Sequence, residues 1–163
     1  MKNVSLRPAL ASDVSEICRL YRETVTAINI RDYTPEQVAV WAAAADDEQK
    51  WMRLLGEQRF IIAESGGIIT GFISLARGEY IDFLYIHKDY QRRGIARALL
   101  ADIEELAVQS GARTLGTDAS ITARPFFERH GFRALRENNK IFNGVEFINY
   151  YMEKTLLHFG QEK

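Results

Sequence analysis

The sequence predicts a mixed α+β domain, with a central sheet flanked by helices. Three observations carry this reading. Apolar residues recur at helical spacing through the first third of the chain. From Phe60 to Ile86 the pattern changes to short apolar runs punctuated by glycine turns. A tight basic loop, Gln91–Ala96, then joins an apolar run to a second long helical pattern.

Asn3–Arg7 reads as a short strand that Pro8 ends. Asp13-Val14-Ser15-Glu16 has the spacing of a capping box. Val14, Ile17, Tyr21, Val25 and Ile28 follow at helical spacing, giving a first helix to about Ile30. Thr34-Pro35-Glu36-Gln37 starts a second helix: Thr34 caps, Pro35 suits the first position and Gln37 reaches back. Val38, Trp41 and Ala42 form its apolar face. Asp46 and Asp47 start a further turn, with Trp51, Leu54 and Leu55 inward and Gly56 as the stop.

Phe60–Ala63 and Ile68–Leu75 are strands joined by Ser65-Gly66-Gly67. Gly71 inside the second marks a bulge or a close approach. Arg77-Gly78 leads into the strand Glu79–Ile86, which is apolar on both faces and so belongs at the centre of the sheet. The helix after the loop buries Ile95, Leu99, Ile103 and Leu106 and runs to Ser110-Gly111. Arg113–Thr117 is a short strand. Thr122–His130 is a short helix, with Pro125 in its first turn and Gly131 at its C-cap. Phe132–Phe142 and Val145–Lys154 form a hairpin about Asn143-Gly144, a type I′ signal. Leu156–Lys163 reads as a loose tail. The order is β-α-α-β-β-β-α-β-α-β-β. With no repeat, low-complexity run or linker, residues 1–163 are expected to form one domain.

Composition narrows the function. The net charge of −1 supplies no field for nucleic acid or an anionic membrane. Cys18 is the single cysteine, which excludes an internal disulfide and a cysteine zinc site. It falls in an apolar helical pattern and reads as a core residue. His87, His130 and His158 offer no metal-ligand spacing, and no metal is expected. No apolar segment approaches the ~20 residues that span a bilayer. The expected setting is cytoplasmic, with no membrane partner.

The loop carries the most specific chemistry. A helix start leaves backbone N–H groups without partners, and its dipole favours negative charge. Gly94 permits close backbone approach, Ala96 adds little bulk, and Arg92, Arg93 and Arg97 add positive charge. Together they read as a pyrophosphate cradle.

Gln91–Ala96 resembles the Q/R-x-x-G-x-G/A motif of the GCN5-related N-acetyltransferase (GNAT) superfamily. Ser120–Phe132 resembles that family's N-x-x-A-x-x-F-Y-E-x-x-G-F segment, with Ala123, Phe126, Glu128, Gly131 and Phe132 in place. Ser120 replaces an asparagine that contacts pantetheine, and its hydroxyl is able to do the same. Phe127 replaces a tyrosine whose hydroxyl protonates the departing thiolate, which phenylalanine cannot do. Within the superfamily, Asp118–Ala123 together with Tyr33–Gln37 and Trp41 resembles the YafP-like branch of bacterial acetyltransferases. The element order is similar to the GNAT order over nearly the whole chain, implying a mostly antiparallel sheet.

The resemblance implies acetyl-CoA as acyl donor. Gln91, Arg92, Arg93, Gly94, Ile95, Ala96 and Arg97 would hold its pyrophosphate. Leu84, Tyr85 and Ile86 would pair with the pantetheine arm by β-augmentation, with Ser120 and Phe127 beside it. A backbone N–H where neighbouring strands splay would polarise the thioester. An acceptor ammonium with a pKa near ~10 needs a base. Asp82, in the central strand, is the first candidate, and its alternative role is a carboxylate satisfied by Arg77 or a backbone group. Asp118 is the second, alternatively capping the Thr122 region, and Glu146 the third. Tyr151 and Tyr85 are candidate acids, though a sheet tyrosine is commonly a packed aromatic, and water is also able to protonate a thiolate. Trp41 and Trp51 read first as helix-face packing and second as walls of an acceptor pocket. The expected function is direct acetyl transfer from acetyl-CoA to a primary amine of a small molecule or peptide. The alternatives are a non-catalytic acyl-CoA-binding module and a general phosphate-ligand binder. The long apolar edge of the last hairpin allows a homodimer.

Overall fold

A computed structural model describes residues 3–157. The elements are β1 (Ser5–Pro8), α1 (Val14–Ala27), α2 (Pro35–Ala42), α3 (Glu48–Glu57), β2 (Arg59–Ser65), β3 (Ile68–Ala76), β4 (Tyr80–Ile86), α4 (Ile95–Gln109), β5 (Thr114–Ser120), α5 (Arg124–Arg129), β6 (Arg133–Phe142) and β7 (Val145–Thr155). The strands form one seven-stranded sheet in the order β1-β2-β3-β4-β5-β7-β6. Every neighbouring pair is antiparallel except β4 and β5. The expected central strand is therefore central, and it lies where the chain changes direction across the sheet.

Each face of the sheet carries its own core. Ile73, Leu75, Ile81 and Leu115 meet Leu99 and Ile103 of α4 on one face. Ile62 and Phe72 meet Ile17, Tyr21 and Val25 of α1 and Trp51 of α3 on the other. The two-residue period of β2 and β3 supplies both faces at once, so these strands read as unbroken apolar runs.

The helical first third holds three α-helices where the sequence order counts two. Asp47 accepts from the Lys50 N–H at 3.1 Å and so starts α3 as a separate element. Gly56 lies within that helix, which continues to Glu57. The Asp13–Glu16 box does not form. Asp13 instead takes two bonds from Arg7, at 2.9 and 3.0 Å, and one from the Leu10 N–H. Glu16 accepts from the Ile69 N–H of β3. The Thr34–Gln37 box forms as expected. β5 runs three residues past Thr117, because Asp118, Ala119 and Ser120 continue the ladder to β7. α5 begins at Arg124, two residues later than expected, after a turn that Ser120 caps by accepting from the Ala123 N–H. Leu156 belongs to the fold, since it is buried and its N–H reaches the Arg113 carbonyl at 2.8 Å. The rest of the expected tail, from His158, lies outside the described residues.

Two irregularities position the functional region. β4 pairs with β5 only at Tyr80↔Gly116 and Ile81↔Thr117, and among the described residues no further pair joins them. The strands part beyond that point. Opposite Ser74 and Leu75, the pairing skips Asp82, which makes it a bulge residue at the root of the gap. The Phe83 N–H, displaced from its ladder position, bonds the Ser74 hydroxyl instead.

Candidate active site

Two clefts meet where β4 and β5 part. One, of about 630 Å³, runs from the gap across Gln91–Arg97 to α5. The other, of about 490 Å³, opens on the α1–α3 face. Leu84, Tyr85, Ser120 and Ala123 line both.

The first cleft combines a helix start with arginine side chains. α4 starts at Ile95 without a side-chain cap, leaving its first amides directed into the cleft mouth. Arg92 (φ 59°) and Gly94 (φ 81°) both adopt the left-handed region, turning the chain sharply into the helix. A Cβ at Gly94 would meet no atom within 4 Å, so a side chain there would stand in open cleft space. Arg31, Arg92, Arg97 and Arg129 line the same cleft. Arg93 points elsewhere, with its guanidinium over the Tyr90 ring at 4.9 Å. The Gln91 amide is also committed, donating to the Ile86 carbonyl at 2.7 Å. Gln91 therefore shapes the loop. The Thr122 hydroxyl oxygen is buried beside this cleft without a hydrogen-bond partner, leaving an unused polar group where a polar ligand would lie.

The strand edge facing the gap follows from ladder alternation. The His87 N–H bonds the Thr70 carbonyl at 2.8 Å. Stepping back two residues along the antiparallel pair, the Tyr85 backbone also faces β3, while Leu84 and Ile86 face the gap. The Ile86 carbonyl is held by the Thr24 hydroxyl at 2.9 Å as well as by Gln91. Tyr85 thus brings its ring to the site, and Leu84 and Ile86 bring backbone amides. Gly71 lies behind this edge. A Cβ there would come within 2.7 Å of Ile86 Cδ1, so glycine lets α4 and β4 close on β3.

The second cleft is aromatic with two carboxylates. Asp82 is exposed and accepts from Gln58 Nε2 at 2.6 Å, not from Arg77. Asp118 accepts from the Tyr80 hydroxyl at 2.6 Å and from Asn138 at 2.8 Å, with Lys140 Nζ at 3.5 Å. Tyr85 accepts from the Trp41 indole at 3.2 Å. Burial pushes the Tyr85 phenol above its ordinary range, and burial together with Asp118 does the same to Tyr80. Both hydroxyls therefore keep their protons at neutral pH. Tyr151 does not line either cleft; its hydroxyl donates to Glu153 at 2.8 Å. Glu146 is exposed, and its carbonyl accepts from Gln37. Phe127 packs on Phe132 in the α4-side core, and its ring forms part of the second cleft's wall. Trp51 is core, at 3 % exposure, while Trp41 is half-buried and both line the cleft.

Tyr33, which entered only through the Tyr33–Gln37 resemblance, and Tyr80 were not marked as site residues. Tyr33 accepts from the Ile121 N–H and donates to the Ile148 carbonyl, both at 2.9 Å, tying α2 to the far rim of the gap. Nothing in their spacing distinguishes them from packed aromatics.

A family model described as an acetyltransferase (GNAT) domain matches residues 29–154. The chain is 35 % identical to the N-acetyltransferase YafP of Escherichia coli K12, over 97 % of this chain and 100 % of that protein. A crystal structure of a GCN5-related N-acetyltransferase from Rhodopseudomonas palustris superposes with a TM-score of 0.92 at 36 % identity, covering 96 % of this chain and 98 % of that one. The PaiA N-acetyltransferase of Thermoplasma acidophilum, solved with coenzyme A, shares the fold with a TM-score of 0.75 at 18 % identity, covering 94 % of this chain and 99 % of that one.

Proposed function

We propose that this chain, which belongs to the GNAT acetyltransferase family, transfers an acetyl group from acetyl-CoA directly to a primary amine of a small molecule or peptide. The observation that carries this reading is the meeting of the two clefts at the parting of β4 and β5. An arginine-lined channel and an aromatic chamber holding two carboxylates and two lysines meet there.

Acetyl-CoA supplies the acetyl group as an activated thioester. The free amides of the first turn of α4, with Arg92 and Arg97, hold the pyrophosphate charge. The Leu84 carbonyl and the Ile86 N–H offer strand pairing to the pantetheine amides. As a fixed donor to a developing oxyanion, the Leu84 N–H is worth roughly 3–4 kcal/mol of barrier. The Ser120 oxygen already accepts from Ala123, leaving its proton to donate into the cleft.

Asp82 removes the ammonium proton, directly or through water. It is preferred to Asp118 because Gln58 is its one hydrogen-bond partner among the described residues, whereas Asp118 is already engaged by Tyr80, Asn138 and Lys140. Asp118 anchors the ammonium. Tyr85 is preferred to Tyr151 as proton donor to the thiolate, since it lines both clefts, whereas Tyr151 lines neither and donates to Glu153. Phe127 contributes an apolar wall and no proton.

Calorimetric titration of acetyl-CoA into the wild type and Gly94→Val, followed by thiol release with an amine panel, tests this. Wild-type binding that Gly94→Val loses, with amine-dependent thiol release, is expected. No binding to the wild type would overturn it.

A further inference from the structure

The second cleft offers an aromatic wall beside its carboxylates, which holding an ammonium alone does not require. Tyr33, Trp41 and Phe147 form one wall, with Trp41 edge to face against Tyr33 at 5.1 Å and against Phe147 at 6.4 Å between ring centroids. At the rim, the tip of the β6–β7 hairpin holds Ile141 and Phe142 over the opening, 79 % and 48 % exposed. Two large apolar side chains left in water beside an aromatic chamber gain free energy when a flat apolar body fills the space between them.

The charge pattern specifies the other end of that body. Asp82 has a neutral amide partner, and Lys50, which also lines the chamber, is paired with neither carboxylate among the described residues. Asp118 has Lys140 Nζ at 3.5 Å, reaching in from β6. A primary ammonium on a flexible chain therefore already stands in the chamber, at the carboxylate that an acceptor ammonium would seek. With respect to Asp118, Lys140 is an internal competitor.

We propose that the acceptor is an arylalkylamine: a primary amine on a short chain carrying a flat aromatic ring, the ring under the Ile141–Phe142 tip and the ammonium replacing Lys140 at Asp118. This rests on the amine-acetyltransferase reading above. Long polar polyamines and lysine side chains place no ring against the aromatic wall and gain nothing from the rim.

The test separates the two claims by measuring binding apart from turnover. 2-Phenylethylamine and butylamine, which carry the same charge, are titrated into the protein saturated with coenzyme A. The expected result is a preference of about tenfold or more for 2-phenylethylamine, the scale of burying one aromatic ring. An Ile141→Ser, Phe142→Ser double variant, altered at exposed positions, keeps its fold and loses most of that preference. Lys140→Gln tightens binding of both amines severalfold. Equal affinity for the two amines, or a preference unchanged in the double variant, would overturn the proposal. If 2-phenylethylamine binds selectively but is not acetylated when acetyl-CoA replaces coenzyme A, the binding-class assignment stands and the transfer reading falls.

Discussion

The Tyr80 hydroxyl donates to Asp118 Oδ2 at 2.6 Å, across the last stretch where β4 and β5 remain paired. The bond ties the root of the gap to a carboxylate that lines the second cleft. Tyr80→Phe removes one of the donors to Asp118 while keeping the ring. Its expected cost is about 1–2 kcal/mol of stability, from losing a hydrogen bond to a charged group. Urea unfolding of the two proteins checks it, as a lower midpoint with an unchanged slope.

Asp82 is assigned the base, and Asn at that position is nearly isosteric. Asp82→Asn should reduce kcat by about 10²–10⁴, the range for losing a general base. Affinity for acetyl-CoA should stay within about twofold, because Asp82 lines the second cleft only. Steady-state kinetics and calorimetry on the same preparation separate the two effects. A loss of acetyl-CoA binding would move Asp82 out of the base role.

The Arg7 guanidinium holds the Asp13 carboxyl below its usual range, and the Leu10 N–H adds to the effect. A carboxyl whose pKa is depressed by folding binds its proton more readily when unfolded. Its stabilisation is therefore full above the unfolded value, near ~4, and is lost as pH falls through the lower folded value. Asp13→Asn should cost about 1–3 kcal/mol at pH 7 and progressively less in acid, where the wild type loses the same term. Denaturant midpoints measured from neutral to acid pH should converge for the two proteins.

Cys18 is buried in the α1 core, and burial pushes its thiol up to about 11. At pH 8 it should not react with a soluble disulfide reagent on the timescale of catalysis. Labelling should instead track denaturant unfolding. Rapid native labelling that abolishes activity would point to a covalent step that direct transfer does not require.

Much of this arrangement was legible in the residues. The strand–basic loop–helix order placed Gly94 and the uncapped start of α4 on one cleft because both are local features. The bulged, parting geometry of β4 was not legible, because it depends on how far β5 pairs with β7 rather than with β4. The ladder period then decides that Leu84 and Ile86, and not Tyr85, turn their backbones to the gap. Asp13 shows the same limit at smaller scale. Its capping spacing was correct locally, but Arg7, six residues earlier, offered charged donors that a helix N-terminus could not match. Tyr151 and Tyr85 looked equivalent as strand tyrosines until the sheet order put only one of them on the clefts.

The most direct measurement follows the acetyl group itself. Free thiol and N-acetylated product are quantified together, by thiol reagent and mass spectrometry, with acetyl-CoA and 2-phenylethylamine or another primary amine. Direct transfer at the meeting of the two clefts predicts one thiol released for each acetylated amine, with both falling together in Asp82→Asn. Acetyl-CoA that binds without any amine-dependent product, or thiol released at the same rate with no amine present, would contradict it.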